Sequence, residues 1–443
     1  MQIQGINFTT VESPVATLDT IRSLLAFAAA QRLTIGQMDV SSAFLNGELH
    51  EDIYMVQPPG YEDPDFPTHV CKLSKALYGL KQAAQAWFKT FVTFLSTVGF
   101  IASHADPCLF IRGQGSDFLA IAIWVDDILA VATQRTTIDS MWSTLNATFQ
   151  AKNLGSPDLF IGIRVHQNPS TFAITLDQAH YVREMATIYL LEDSPSHITS
   201  PFNRGQLMDP NSPSPVYQDK TKYQSLIGAL LWVSRCTRPD ISFVVSWLGR
   251  HNQTPSVADW GVALHTLSYL LTTATTGLRY TSGSAQLSGF TDSDFGEFVT
   301  SRKSTGGFIF FFRPSDSPIS WKSKLQSLVT RSSTEAEYLA CSEGCQEATW
   351  LGSLFSSLDC SPFPVPIHVD NASARTLVDT NLTRQRTKHI DIRYHYCRDR
   401  QATGFVTITP IAGPVNPADI FTKTFSPTAF NRAKAFLNLS ICS

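Results

Sequence analysis

The chain has 443 residues, 43% of them hydrophobic, and 34 Lys and Arg against 37 Asp and Glu give a formal net charge of −3. That is enough apolar material for several cores and too little charge for a disordered chain. It also excludes a polycation that grips nucleic acid by bulk charge, so any such grip must come from local basic patches.

In chain order, Leu18, Ile21, Leu24, Leu25 and Ala28 recur at helical spacing and predict a helix over 17–30. Its apolar stretch Leu24 to Ala30 lies between Arg22 and Arg32 with no basic segment before it, so it reads as a helix face rather than a signal peptide. No apolar run is long enough to cross a membrane. A β-like segment ends at Met38-Asp39-Val40. An amphipathic helix is expected over 80–98, closed by Gly99. The apolar runs 118–124 and 128–131 flank Val125, Asp126 and Asp127, which predicts a β-hairpin with two carboxylates at its tip. Five prolines make 194–222 a linker or surface loop, and 223–271 reads as helical with Trp232, Trp247 and Trp260 in its core. From Ser288 the pattern changes to mixed strands and helices, which predicts a separate α/β domain. Strands are expected at 287–290, 306–312, 318–321, 367–369 and 405–411. Helices are expected at 334–358, opened by a Thr334/Glu337 capping box, and at 388–402.

The eight cysteines show no CxxC pair and no zinc-ligand spacing. They read as small buried hydrophobes in a reducing compartment. Cys341 and Cys345 share a helix face, but two thiols do not make a metal site.

Adjacent carboxylates at the tip of an apolar hairpin repel each other unless a cation neutralises them. Alone, Asp126-Asp127 reads as an ordinary turn. The segments QMDVSSAFLNGELHEDIYMVQPPGY, CKLSKALYGLKQAAQAW and WVDDIL occur in that order, and together they resemble the palm of copia-type reverse transcriptases. The resemblance implies an α+β reverse transcriptase palm and thumb, a right-hand polymerase with truncated fingers, in which Asp39, Asp126 and Asp127 hold two Mg2+ ions, with Mn2+ as a substitute. Phe44 falls where the family places a steric gate against a ribose 2′-OH, and reads equally as a core ring. Gly79, Lys81 and Gln82 match the segment under template and incoming nucleotide, and LFIGIRV (159–165) resembles a strand near the primer end. The chain departs from the family at Trp124, usually Tyr, and at Ala84-Gln85, often Pro-Arg. The strand that clamps the triphosphate would lie upstream of Gln2, so weak polymerisation by this chain alone is expected.

GFTDSDF, STEAEYLACSEG, HVDNASA and NPADIFTK follow in order, with RKSTGGF, ISWKSK and RTKHIDIRYHY among them, and resemble the family's RNase H domain. That implies an α/β RNase H-like domain whose catalytic and metal-holding residues are Asp292, Glu337, Asp370 and Asp419, again with two Mg2+ ions. Glu337 fits the Glu-Tyr-Leu-Ala register better than Glu335, and Asp294 is a weaker alternative to Asp292. Residues 375–400 carry seven Arg or Lys against three Asp. Arg384, Arg386 and Lys388 among them are the expected hybrid contacts. YQSLIGALLWVSRCTRPDISFVV resembles the family's thumb and connection, whose Arg and Lys are further hybrid-contact candidates.

The expected domains are 1–193 (partial fingers and palm), 194–284 (thumb and connection) and 285–443 (RNase H-like). The implied function is RNA-directed DNA synthesis and cleavage of RNA–DNA hybrid. The alternative is a decayed element that only binds or cleaves hybrid. The implied partners are an RNA template, a DNA primer, RNA–DNA hybrid and dNTPs, with integrase and protease upstream in the intact polyprotein. The expected location is a cytoplasmic virus-like particle or the nucleus.

Overall fold

The computed structural model describes Gln2 and residues 11–189, 198–202, 205, 214–296, 302–313, 315–379 and 391–442, with backbone only at 379 and 391–395. The chain forms two compact units: Met1–Ile21 with Leu33–Pro157, and Arg22–Arg32 with Asp158–Ser443. No helix among the described residues is long and apolar enough to cross a membrane.

The first unit is built on a six-stranded antiparallel sheet. Its order is Ile101–Ala102, Leu109–Arg112, Leu119–Trp124 (β2), Asp127–Ala132 (β3), Thr34–Val40 (β1) and Ala151–Gly155. Strands β2 and β3 are continuous apolar runs because the sheet's interior is covered: Leu119 to Ile123 and Ile128 to Ala132 are all buried. Helix α1 (Ala83–Thr97) and the helix Arg135–Phe149 meet through an aromatic cluster, with Trp87 and Phe94 each edge-on to Phe149 at 5.2 and 5.0 Å. Gly99, with φ +87°, ends α1 as the sequence suggests.

The second unit holds two sheets. One runs Thr305–Phe311 (β5) beside Ser288–Ser293 (β4), with Ser320–Leu325 (β6) outside β5, and Val365–Val369 (β7) and Val406–Pro410 (β8) on the other side of β4. The first three strands are antiparallel, and β7 and β8 join parallel to β4. The resulting order, β6-β5-β4-β7-β8, is that of an RNase H-like fold. Helix α2 (Ser333–Ser357) packs on β4, β5 and β7. Gly344 makes this approach close, since a Cβ there would stand 2.5 Å from Thr291 Cγ2. Helix α3 (Asp391–Ala402) packs on α2.

The other sheet links Ile163–Gln167 and Ile174–Asp177 to Thr276–Tyr280, so residues 158–177 are tied to the segment after the helices Lys220–Cys236, Ser242–Gly249 and Val257–Thr272. One core joins those helices to Ile309, Phe311, Phe421 and Phe430. The second unit therefore takes in the described residues of 158–189 together with those of 194–284 and 285–443.

The helix starting at Lys220 begins inside the stretch read as a loop. Only Trp247 of the three tryptophans is buried. Trp232 and Trp260 are half-buried, and Trp260 stacks on Tyr217 at 4.8 Å. LFIGIRV is two short strands around a turn, with Ile161 and Gly162 both at positive φ. Arg238 is not a hybrid contact: it is buried, with Nε and Nη2 donating to Asp240 at 2.9 and 2.8 Å. The cap of α2 is Ser332, whose Oγ accepts from Glu335 N, while Glu335 accepts from Arg331 N. That frees Glu337 from the capping role.

Candidate active sites

In the first unit, the strand register sets three aspartates at one edge of the sheet. Asp39 pairs directly with Asp127 across β1 and β3, and Asp126 occupies the two-residue turn between β2 and β3. Val125, the other turn residue, has φ +60°. A two-residue hairpin needs a positive φ there to match strand twist, but a β-branched side chain resists it. Two bonds hold the strained turn: Trp87 Nε1 donates to Val125 O at 2.8 Å, and Val40 N donates to Asp126 O at 3.1 Å. Gln37, two residues before Asp39 and therefore on the same face of β1, donates from Nε2 to Asp127 Oδ1 at 3.2 Å. Burial raises the Asp127 carboxyl above its ordinary range. The Gln37 bond opposes this, and Asp126 and Asp39 reinforce it. All three aspartates are half-buried, and among the described residues no ion pair joins them to a protein cation.

Phe44 is half-buried on the short turn Ala43–Asn46, its ring 4.8 Å from that of Tyr78. Gly79 has φ +95°, a backbone that glycine permits, and Lys81 is exposed. Gln82 is buried and accepts from Gln2 Nε2 at 2.8 Å, while Gln2 accepts from Lys81 N.

In the second unit, the elements converge more tightly. Asp292 comes from β4, Glu337 from the second turn of α2 and Asp370 from the end of β7. One carboxylate oxygen of each lies within 4.8 Å of the others. Asp292 and Glu337 are buried and Asp370 is half-buried. Glu337 Oε2 has no hydrogen-bond partner. Burial and the charges of Asp292 and Asp370 push the Glu337 carboxyl up to about 9. Burial and Asp292 also raise Asp370, against Lys423 and Asn416.

Asp419 joins this group through a cation. Lys423 Nζ stands 2.8 Å from Asp419 Oδ1 and 3.2 Å from Asp292 Oδ1. Burial and Asp292 push Asp419 up to about 6 despite that lysine. Burial would lower Lys423, but Asp292 and Asp419 outweigh it and hold the amine above its ordinary range. Thr422 donates to Asp292 Oδ2, and Asn416 Nδ2 donates to Thr291 O at 3.0 Å beside it.

Glu335 and Asp294 are engaged elsewhere, Glu335 at the α2 cap and Asp294 accepting from Thr305 N at the β4–β5 end. Arg384, Arg386 and Lys388 lie outside the described residues. Gln37, Trp87, Asn416, Thr422 and Lys423 were not singled out in the sequence. Lys423 had a signal, four residues after Asp419 in NPADIFTK, where one helical turn brings the two side chains together.

A family model described as reverse transcriptase (RNA-dependent DNA polymerase) matches residues 1–201. The retrovirus-related Pol polyprotein from transposon TNT 1-94 of Nicotiana tabacum is 32% identical over 443 residues, covering 99% of this chain and 33% of that protein. The Pol polyprotein from transposon RE1 of Arabidopsis thaliana is 33% identical over 437 residues, covering 97% and 29%. The putative transposon Ty5-1 protein of Saccharomyces cerevisiae is 34% identical over 312 residues, covering 70% of this chain and 100% of that protein. The chain thus spans about a third of the first two relatives. Matched along nearly all its length, with both sets of motifs in order, the chain belongs to the Pol polyproteins of copia-type LTR retrotransposons.

Proposed function

We propose that the chain carries out two phosphoryl-transfer reactions: RNA-directed DNA synthesis at Asp39, Asp126 and Asp127, and cleavage of the RNA strand of a hybrid at Asp292, Glu337, Asp370 and Asp419. The observation that carries this reading is the meeting of Asp292, Glu337 and Asp370 within 4.8 Å, with Glu337 Oε2 buried and unpartnered. Mutually repelling acids brought out of water do not help a fold, so the cluster is built for a cation. The donor set is all carboxylate oxygen, which suits Mg2+ and not a thiophilic ion. Lys423 stands in for part of that charge between Asp292 and Asp419.

When bound, Mg2+ would activate the attacking oxygen and neutralise charge on the leaving one. The chain's own residues supply the rest. Thr422 and Lys423 fix the two oxygens of Asp292, and Asn416 orients the segment leading to Asp419. In the first unit, Gln37 fixes one oxygen of Asp127, and Trp87 holds the turn that carries Asp126. Phe44, its ring tilted against that of Tyr78, would screen a ribose 2′-OH. The substrates on this reading are RNA template, DNA primer, dNTPs and RNA–DNA hybrid.

The test is cleavage of an end-labelled RNA–DNA hybrid in Mg2+ by the wild type and by Asp370→Asn. A loss of ~10²-fold or more is expected for a metal-holding carboxylate. Undiminished cleavage by a folded Asp370→Asn protein would contradict the assignment.

A further inference from the structure

Three cysteines that the sequence keeps apart meet in the second unit. Cys341 and Cys345 lie one turn apart on the same face of α2, and Cys397 reaches them from α3. Their three sulfur atoms all lie within 4.8 Å of one another, and each residue is 1% exposed or less. Among the described residues no other cysteine joins a group of three metal-capable atoms. Polar groups surround this point. The Tyr338 hydroxyl lies beside the Cys397 sulfur, and Ser342 Oγ, 1% exposed and next to Cys341 in the chain, has no hydrogen-bond partner. Plain core packing explains buried thiols, but it does not explain why two hydroxyls are spent in the same apolar seam.

We propose that Cys341, Cys345 and Cys397 form a binding site for one thiophilic divalent d10 cation, Zn2+ or its surrogate Cd2+, which clamps α3 onto α2. A zinc–sulfur bond of about 2.3 Å sets sulfur–sulfur edges of about 3.8–4.0 Å, so the widest edge need close by only about 1 Å, within reach of side-chain rotation. Each ligating thiol gives its proton to solvent as the ion binds. Hydrogen bonds from Cys341 and Cys345 already hold the Cys397 thiol below its ordinary range, against its burial. Cys341 follows Glu337 by one helical turn, so the clamp would stiffen α2 next to the carboxylate cluster without touching it. Soft sulfur and hard oxygen sites one turn apart would select different ions.

The test uses the full chain, reduced with a phosphine and held in excess Mg2+ so that the carboxylates are satisfied. Cd2+ is titrated while its sulfur-to-metal charge-transfer band is followed in the ultraviolet, and bound Zn2+ is counted after gel filtration. One equivalent is expected. Cys345→Ser and Cys397→Val should each weaken Cd2+ binding by more than ~10-fold, while Cys71→Ser, at a half-exposed thiol outside the cluster, should bind as the wild type. Zn2+ should raise the melting temperature of the wild type and not of Cys397→Val, in which valine fills the thiol's place. Absence of the band in the wild type would overturn the proposal even if a variant failed to fold. So would a band, or a Zn2+-dependent rise in melting temperature, that persists in Cys397→Val.

Discussion

Lys423 donates to Asp292 across 3.2 Å, placing a protein cation inside a group of carboxylates from four separate elements. The lysine offsets the repulsion between Asp292 and Asp419 and must share them with any bound metal. Lys423→Met should therefore lower the melting temperature of the metal-free protein, by ~2 °C or more, and enlarge the stabilisation that Mg2+ provides. Thermal melts with and without Mg2+ check both. An unchanged Mg2+-dependent shift would mean that lysine and metal do not compete.

The two glutamates at the start of α2 have different surroundings. Glu335 is used at the helix cap, and Glu337 faces the cluster with one oxygen unpartnered. Glu337→Gln should reduce hybrid cleavage by ~10²-fold or more, and Glu335→Gln by no more than a few-fold. The reverse pattern in single-turnover assays would move the catalytic role to the cap.

Stability should depend on pH in a direction set by Glu337. Its carboxyl, ordinarily at 4.5, is carried up to about 9 in the folded chain, chiefly by burial. Between those values the unfolded chain has lost a proton that the folded chain keeps. Stability from this group is thus fully present below the lower value and declines as pH rises through the window. Asp419, raised to about 6, acts in the same sense. The metal-free melting temperature should fall from about pH 5 to about pH 9, and Glu337→Gln should flatten that slope. Mg2+ affinity should rise over the same range, because the ligands must be deprotonated to bind. A slope unchanged in Glu337→Gln would place its cause elsewhere.

Trp87 anchors the strained hairpin turn through a single indole N–H bond to Val125 O. Trp87→Phe keeps the ring against Phe91 and Phe149 but removes the donor. Such a bond contributes about 0.5–1.5 kcal/mol, and a misplaced Asp126 should slow primer extension by up to roughly tenfold. Hybrid cleavage should not change. Equal rates of extension in the wild type and Trp87→Phe would show that the turn holds without the bond.

The elements of both units could be read from the sequence wherever one physical signal dominated. The continuous apolar runs around Asp126-Asp127 and in β5 left no alternative to buried strands, and the 3.6-residue period of α2 fixed the helix carrying Glu337. What escaped was decided by contacts distant in sequence. The pairing of Ile174–Asp177 with Thr276–Tyr280 draws residues distant in sequence into one unit. The capping box at Thr334/Glu337 was displaced because Ser332 offers the same chemistry two residues earlier, with Glu335 in register. Arg238 looked like a surface cation because its partner Asp240, two residues on, reveals its burial only once Tyr269 closes over both. Lys423 and Gln37 are ordinary polar residues in sequence, and their roles come from which carboxylate each one meets. The three-cysteine cluster was invisible because its third member arrives on another helix.

The proposal of two separate carboxylate groups for two separate reactions can be decided by one paired assay. Asp126→Asn and Asp292→Asn would each be given a primed RNA template with dNTPs and a labelled RNA–DNA hybrid, in Mg2+, beside the wild type and with folding checked by circular dichroism. A crossed result is expected: Asp126→Asn loses ~10²-fold or more in primer extension and retains hybrid cleavage, and Asp292→Asn does the opposite. Parallel loss of both activities in either folded variant, or loss of neither, would contradict it.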